Sequence, residues 1–326
     1  MTFNVRRIII FHVSFKQKGL SKIASKNKLW GPIALISAAM IWGLSFVAQN
    51  EGMNYIGGFT YNGIRMLLGS AVLLPIIIFN RKKNPSKLTT EEKKKKRKSA
   101  LSAIILVGIC LFAGSNLQQF AFNYTEVGKI GFITSLYMII VPILGLFLKK
   151  RAPYTVWIGI ILGLAGLYFI CIGGSSSFSM GKGELLTLLC AIAFALHILV
   201  IDKFTSDIDS VVLSCGQFFV TGVLSCILMF IFEEPSWESI KQALIPIIYS
   251  GAISSGVGYT LQIVGQKRTE PTISAMLLCL ESVFSVLFAF ILPPHERLMS
   301  IEYFGCAVIF IGIIIAQITP KSKKLN

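Results

Sequence analysis

The chain has 326 residues, of which 54% are hydrophobic and 14% are charged, with a formal net charge of +16 and a mean hydropathy of +0.72. Soluble domains carry about 25% charged residues, so this composition excludes an ordinary soluble protein and indicates an integral membrane protein. The basic residues form short blocks between apolar runs without interleaved aromatic residues, which argues against a nucleic-acid binder.

The first 28 residues carry seven lysines and arginines around a short apolar run, Ile8 to Val13. A signal peptide has a longer apolar core followed by a small-residue cleavage site, whereas more lysines follow here. We therefore interpret residues 1–28 as a basic cytoplasmic tail.

Ten apolar stretches are long enough to cross a bilayer as helices, which takes about 20 residues each. Their continuous apolar length argues against the alternating strands of a membrane barrel. We call these stretches spans 1 to 10 and expect them at 29–49, 57–79, 99–123, 126–148, 154–173, 183–203, 209–232, 240–264, 270–292 and 301–319.

The distribution of lysine and arginine predicts the topology, because cytoplasmic loops carry an excess of both. With both termini inside, 26 of the 31 basic residues are cytoplasmic: seven in the tail, ten between Arg81 and Lys98, and nine in the other inner loops and the C-terminus. We expect a multi-pass protein of the cytoplasmic membrane, either plasma or inner, with N- and C-termini in the cytoplasm.

Part of the sequence occurs twice. Leu117-Gln118 and Thr125-Glu126 return 144 positions later as Leu261-Gln262 and Thr269-Glu270. Five spans in each half place the second half upside down, and inverted repeats are typical of alternating-access transporters with a site near the midplane. The expected organisation is a first repeat at 29–173, an outer linker at 174–182, a second repeat at 183–319 and a cytoplasmic tail at 320–326.

Several short motifs resemble those of the drug/metabolite transporter superfamily, specifically its ten-helix EamA-type permeases. They are Ile41-Trp42-Gly43 in span 1, Arg65 in span 2, and Leu280-Glu281 before Val283-Phe284 in span 9, where Ser282 replaces the family's proline. The first half departs further, since Lys149-Lys150-Arg151 stands where the family has an acidic residue followed by a basic one, while His295-Glu296-Arg297 keeps that pattern. The resemblance implies export of amino acids, other metabolites or drugs.

Three ionisable residues lie within spans, where burying a charge costs about 2.5–3.5 kcal/mol. Arg65 and Glu281 differ in depth by less than one helical turn, so they could form a structural ion pair or hold a charged substrate between them. Proton coupling through Glu281 is a narrower hypothesis. His197 could relay a proton or join two helices, and metal binding is not expected because His12 and His295 lie far away.

Aromatic and amide residues near the midplane are the remaining candidates for the cavity lining. Trp42 lies mid-span rather than at an interface, and Tyr137 is the residue that the repeat pairs with Glu281. The resemblance places spans 1, 3, 4 and 8 around the central cavity, and the candidates there are Trp42, Asn116, Gln118, Tyr137, Tyr259 and Gln262.

Glycines and prolines within the spans predict packing and bends. Gly159 and Gly163 in span 5, and Gly305 and Gly312 in span 10, favour close helix approach. Pro142 is expected to kink span 4.

These observations predict an all-α integral membrane protein, ten transmembrane helices in two inverted five-helix repeats, that acts as a secondary active transporter of a small metabolite. No GxxxxGK[ST] loop occurs, so neither ATP drive nor any cofactor is expected, and no HExxH or GxSxG motif suggests an enzyme. A nucleotide-derivative carrier, a lipid flippase and a channel remain alternatives. The expected partners are a small-molecule substrate and the bilayer, no nucleic acid, and the chain is a monomer or homodimer.

Overall fold

The computed structural model describes residues 5–83, 89–125, 127–148, 152–171, 181–204, 208–291 and 300–318. Within these ranges the chain is helical, with seven helices long and apolar enough to cross a membrane and three shorter apolar ones. The expected C-terminal tail, the linker up to residue 180, and the Lys149–Arg151 and His295–Arg297 positions lie outside the described residues.

Most spans are single helices. Span 1 is the helix Val5–Gly52, whose apolar part is Leu29–Gly52, so the predicted basic tail is helical from Val5 onward. Spans 2, 3, 5, 6, 7 and 10 are Gly58–Lys83, Thr90–Ala121, Tyr154–Cys171, Lys182–Phe204, Ser210–Phe232 and Ser300–Gln317. The predicted fold class is confirmed, since the ten apolar segments form two sets of five.

Spans 4 and 9 are each broken into two helices. Span 4 consists of Val127–Thr134 and Tyr137–Phe147, and span 9 of Pro271–Leu278 and Leu280–Ile291. The span 4 break at Ser135 lies 144 positions before the span 9 break at Cys279, the same offset that relates the repeats. The sequence predicted a kink of span 4 at Pro142. The break instead lies at Ser135, seven residues earlier, and Pro142 lies within the helix Tyr137–Phe147.

Span 8 contains a long π-helix. It runs as Leu244–Ile248, the π-helix Tyr249–Tyr259 and Thr260–Gln266, after a short surface helix Trp237–Gln242. Its counterpart in the first repeat, span 3, is α-helical throughout. Because π-helical turns are rare and concentrate at functional sites, this difference marks span 8 for attention.

The packing of the spans obeys an internal twofold symmetry. Each span of the first repeat has the same neighbours as the span five places later, once the two repeats are exchanged. Span 1 packs on span 9, and correspondingly span 6 packs on span 4. Span 3 packs on span 7, and correspondingly span 8 packs on span 2. One apolar core joins spans 1, 4, 5, 6, 9 and 10, and another joins spans 2, 3, 7 and 8.

The contact between spans 5 and 10 gives the direction of the repeats. A Cβ atom on Gly159 would lie 2.5 Å from the Gly312 carbonyl oxygen, and one on Gly166 would lie 2.6 Å from the Gly305 carbonyl oxygen. The pairing runs in opposite senses along the two helices, so they are antiparallel and the repeats are inverted. The predicted close approach of these helices is confirmed.

The two ends of the bundle differ in charge. Spans 2, 6 and 8 finish in or beside basic residues, at Arg81–Lys83, Lys203 and Lys267-Arg268, and we call this the basic end. Glu184 and Glu233 lie at the other, acidic end. There Glu233 accepts hydrogen bonds from the Phe59 and Thr60 amides at 2.9 and 2.8 Å and from the Thr60 hydroxyl at 2.6 Å, joining span 7 to the start of span 2.

Candidate functional site

A cavity lies between the two apolar cores, where Trp42 and Phe194 pack against both. Its volume of about 40 Å³ leaves room for roughly three waters at about 10–15 Å³ each, so the surrounding helices pack closely around it. Eight of the nine predicted site residues line this cavity. The full lining is Trp42, Phe46, Gln49, Arg65, Gln118, Tyr137, Phe194, His197, Ile198, Ser254, Tyr259, Gln262, Leu278 and Glu281.

The cationic group of the cavity is Arg65, which is only 2% exposed. Its Nε donates a hydrogen bond of 2.7 Å to Asn62 Oδ1, one helical turn earlier, and the guanidinium carbon lies 5.6 Å from the centre of the Tyr61 ring. In the part of the chain that the structure describes, no carboxylate lies within 4.0 Å of the guanidinium. Arg65 therefore brings a positive charge to the cavity without an ion pair to any of the described carboxylates.

Asn116, the ninth predicted residue, lies behind the lining and supports Arg65 indirectly. The amide nitrogen of Asn62 donates to the Ser115 carbonyl oxygen at 3.0 Å and to Asn116 Oδ1 at 3.1 Å. The amide nitrogen of Asn116 donates in turn to Ser225 Oγ at 3.0 Å. This chain of hydrogen bonds connects spans 2, 3 and 7 and fixes the acceptor that holds Arg65.

The acidic group of the cavity is Glu281, which is 5% exposed and accepts a 3.2 Å hydrogen bond from the Tyr137 hydroxyl. Tyr137 and Glu281 are separated by the repeat offset of 144, and so are Ser135 and Cys279, whose Sγ donates to the Ser135 carbonyl oxygen at 3.4 Å. Equivalent positions of two repeats touch only near the symmetry axis. Glu281 therefore lies beside that axis, where the breaks of spans 4 and 9 cross.

Arg65 and Glu281 share the cavity without forming an ion pair. Each lines it, but no oxygen of Glu281 lies within 4.0 Å of a nitrogen of Arg65. The structural ion pair considered from sequence is therefore not formed in this conformation. The cavity presents a positive group and a negative group that a ligand could contact together.

Aromatic rings form the walls. The Trp42 and Tyr259 rings lie 4.6 Å apart, and the indole Nε1 donates to the Ser254 carbonyl oxygen at 3.3 Å. Ser254 and Tyr259 both belong to the π-helix, so the altered backbone of span 8 forms this wall. A Cβ on Gly258 would lie 2.8 Å from the Trp42 Nε1, so the absence of a side chain there makes room for the indole.

His197 is fully buried and joins spans 6 and 7. Its Nε2 lies 2.8 Å from Gln217 Oε1, and the tautomer of the ring decides which of the two side chains donates. Among the described residues, Nδ1 has no hydrogen-bond partner. His197 thus makes the helix-to-helix hydrogen bond considered from sequence while keeping one polar atom unsatisfied.

Two further acceptors around the cavity lack partners. The side-chain oxygens of Gln49 and Gln262 are buried without a hydrogen bond, and both residues line the cavity. Leaving a buried polar atom unsatisfied costs about 1–3 kcal/mol, so both oxygens destabilise this conformation. Gln118, in contrast, donates to Thr134 Oγ1 at 3.2 Å.

Three of the lining residues that the sequence interpretation missed follow the internal symmetry. Trp42 lies over Gly258 as Phe194 lies over Gly114, and Gly114 and Gly258 are themselves a repeat pair. Phe46 and Ile198 each lie four residues further along the same helices. Aligning spans 1 and 6 on these glycines would have identified Phe46, Phe194 and Ile198, but not Gln49, Ser254 and Leu278. The charged groups, in contrast, occur where the repeats differ.

Comparison with known proteins identifies the family. A family model described as the EamA-like transporter family matches residues 29–172 and matches again at residues 181–317. The chain belongs to this family. An uncharacterized transporter of Archaeoglobus fulgidus is 26% identical over 308 residues, covering 94% of this chain and 91% of the relative. The uncharacterized transporter YoaV of Bacillus subtilis is 23% identical, covering 90% and 98%.

A crystal structure of a protein with 17% sequence identity superposes on this EamA-like transporter with a TM-score of 0.71, covering 88% of this chain and 98% of that one. At this identity the likeness extends to the fold. The family match confirms the resemblance to the drug/metabolite transporter superfamily seen in the sequence motifs. The protein is thus a multi-pass membrane protein of a transporter family.

Proposed function

We propose that this protein is a secondary active transporter, and not an enzyme, that moves a small amphipathic metabolite with an anionic group and an amine by alternating access. The observation that carries the proposal is the Arg65 guanidinium, buried beside a small cavity with no carboxylate of the described residues within 4.0 Å. A charge in such a position is costly unless a ligand or a rearranged protein group neutralises it.

The opposite charges and the aromatic walls favour a zwitterion with an apolar body. A carboxylate beside Arg65 would form a charge-assisted hydrogen bond, and an ammonium beside Glu281 would form another. Trp42 and Tyr259 would contact the apolar part, since aromatic rings supply large contact areas. An amino acid such as L-phenylalanine combines all three features and is the probe we choose.

The size of the cavity supports a carrier that changes conformation. At about 40 Å³ the cavity cannot admit a metabolite without movement of the surrounding helices. The broken spans 4 and 9, which cross at the symmetry axis, are suitable places for that movement because broken helices frame the substrate sites of inverted-repeat transporters. A channel would instead need a continuous path.

We assign the basic end to the cytoplasm and the protein to the plasma or inner membrane, because positive residues accumulate on the cytoplasmic side. Export is the proposed direction. Solute exchange or protons would supply the energy, with Glu281 as the proton-binding group. The pH dependence of flux by Glu281→Gln tests the proton alternative, and a pH dependence equal to that of the natural protein contradicts it.

The alternatives fit the cavity less well. A nucleotide derivative carries several negative charges, whereas Arg65 is the only cation among the described residues that line the cavity and Glu281 would repel a phosphate. A lipid flippase would need an open lateral path for acyl chains, while this cavity lies between the two apolar cores.

Counterflow in proteoliposomes tests the proposal. Vesicles that contain the purified protein and unlabelled L-phenylalanine should accumulate radiolabelled L-phenylalanine transiently, and this uptake should saturate. Empty vesicles should keep the label gradient. Scrambling of a fluorescent phospholipid without counterflow would indicate the flippase instead. Uptake that does not saturate would indicate a channel.

A further inference from the structure

Two equivalent contacts join the repeats, one at each end of the bundle. At the acidic end a Cβ atom on Gly183 would lie 2.8 Å from the Thr125 Cβ, and at the basic end one on Gly31 would meet the Thr269 hydroxyl. The threonines differ by the repeat offset of 144, and the glycines by 152, the offset that relates spans 1 and 6. We call these contacts the acidic-end gate and the basic-end gate, because a path between the repeats at either end requires the contact there to separate.

Two pairs of side chains hold the acidic-end gate together. The Thr125 hydroxyl donates to Glu184 Oε1 at 2.7 Å, and the Gly181 amide donates to Glu184 Oε2 at 2.9 Å. Lys182 Nζ donates to the Tyr124 hydroxyl at 2.9 Å and lies 4.2 Å from the centre of that ring. Consecutive residues between spans 3 and 4 are thus bonded to the first turn of span 6. We call the Thr125–Glu184 and Tyr124–Lys182 pairs the latch.

The basic-end gate has no acceptor for its threonine. The residue that the offset of 152 places in the position of Glu184 is Pro32, which lies within the helix of span 1 and has no polar side chain. The Thr269 hydroxyl accordingly has no hydrogen-bond partner among the described residues. A hydrogen bond from the threonine across the gate therefore occurs at the acidic end and not at the basic end.

The second pair of the latch is also not formed at the basic end, although its residue types are present. Trp30 stands in the position of Lys182. Arg268 stands in the position of Tyr124, so the cation and the aromatic ring are exchanged. Arg268 Nη1 donates instead to the Val264 carbonyl oxygen at 3.2 Å, and Trp30 is 59% exposed. In the part of the chain that the structure describes, no cation–π contact joins Arg268 to Trp30.

A second and larger cavity lies beside the basic-end gate. Its volume is about 570 Å³, and its lining includes Arg268 and Thr269 of the gate, Pro142 of span 4 and Leu199 of span 6. The central cavity, in contrast, has a volume of about 40 Å³. Spans 4, 6 and 8 are therefore spaced more widely at the basic end than around the central cavity.

We propose that the latch holds the acidic end shut, so that the transporter without solute rests in states that open toward the basic end. The inference rests on the proposed function, because only a carrier that alternates between two ends has a resting side. A hydrogen bond to a carboxylate changes an equilibrium about tenfold, so the latch favours these states by a comparable factor. With the basic end in the cytoplasm, the empty protein is open to cytoplasmic solute, as expected of an exporter. Gradients of solute and coupling ion still determine the direction of net flux.

Thiol labelling at position 49 tests the latch. Gln49 lines the central cavity three residues before the end of span 1 at Gly52. From the acidic side, Gln49→Cys should therefore react with a membrane-impermeant maleimide only while the acidic-end gate is open. Mass spectrometry of the digested full-length protein reads the label at this position separately from the seven native cysteines. The reagent is applied on the side from which it labels Asn123→Cys, an exposed position of the acidic end.

Thr125→Val should speed this labelling about tenfold, because valine keeps the shape of threonine but lacks the hydroxyl that donates to Glu184. The hydrogen bond from the Gly181 amide to Glu184 remains, so the start of span 6 stays capped. Thr125→Ser keeps the donor and should keep the slow rate. Thr269→Val is the matched control, since it removes an unpartnered hydroxyl at the equivalent position, and it should leave the rate unchanged. Lys182→Gln, at an exposed position, should speed labelling about two- to fivefold.

Unchanged labelling in both Thr125→Val and Lys182→Gln overturns the inference, and so does equal acceleration by Thr125→Val and Thr269→Val. If Thr125→Val does not fold, Lys182→Gln decides by the same criterion. Failure of the proposed function is distinguishable, because the labelling uses no solute. The effects of the latch would persist in a protein without L-phenylalanine counterflow, whereas intact counterflow with unchanged labelling contradicts the latch alone.

Discussion

Replacing Gly159 by alanine tests the inverted packing at the contact of spans 5 and 10. The new Cβ would lie 2.5 Å from the Gly312 carbonyl oxygen, whereas ordinary Cβ contacts begin at 3.4 Å, so the two backbones must separate by about 0.9 Å. A backbone oxygen cannot rotate away as a flexible side chain can. Overpacking of this kind costs about 1–3 kcal/mol.

Gly163→Ala is the matched control on the same helix. Its Cβ would meet only the end of the Met138 side chain, at 3.2 and 3.3 Å, which can move. Both substitutions gain about 1 kcal/mol of helix propensity, and this gain cancels in the comparison. Unfolding by sodium dodecyl sulfate in mixed micelles, followed by circular dichroism, should find Gly159→Ala less stable than Gly163→Ala by about 1–3 kcal/mol. Equal stabilities would refute the close antiparallel contact.

Three further predictions concern the acidic end, the cavity wall and the start of span 3. Glu233→Gln should lower the free energy of unfolding by about 1 kcal/mol, because a charged acceptor of three hydrogen bonds is lost. Glu234→Gln, at an exposed position, should leave the free energy of unfolding unchanged. Equal effects of the two substitutions would contradict the stabilising role of the Glu233 hydrogen bonds to span 2. Gly258→Ala should raise the KM for L-phenylalanine counterflow about fivefold by displacing the Trp42 indole, and an unchanged KM would count against this wall. At the start of span 3, Thr89 and Glu92 cap the helix through reciprocal hydrogen bonds. The backbone and hydroxyl of Thr89 donate to the Glu92 carboxylate and lower its pKa from the ordinary 4.5. The stabilisation by this cap is therefore complete above pH 4.5 and is lost as the pH falls through the lowered pKa. Amide protection at residues 90–93 should then fall in acid, and constant protection would refute the assignment.

Much of the fold followed from sequence because lipid restricts the choices. Spans must be helices, and their number and the repeat offset of 144 together predicted the inverted halves. The breaks in spans 4 and 9 were not predictable, because neither Ser135 nor Cys279 is a helix-breaking residue type. Each break depends on contacts with the other broken span, so it is a tertiary effect that local propensity does not contain.

The candidate site was predictable to a similar degree. Arg65 and Glu281 were conspicuous because ionisable groups within spans are costly, and Trp42 because it lies mid-span. The π-helix of span 8, with Ser254 and the orphaned oxygen of Gln262, could not be read from periodicity. The sequence analysis assigned Asn116 to the cavity lining. Its depth in span 3 did not reveal that Asn116 contacts Asn62, which in turn accepts the hydrogen bond from Arg65.

The central claim is that Arg65 and Glu281 recognise opposite ends of one solute. Its most direct test is inhibition of L-phenylalanine counterflow by phenylacetate, which lacks the amine, and by phenethylamine, which lacks the carboxylate. Arg65→Gln should weaken inhibition by phenylacetate 10- to 100-fold and spare phenethylamine, and Glu281→Gln should do the reverse, as expected for loss of a charge-assisted hydrogen bond. Equal effects of each substitution on both inhibitors would contradict the claim.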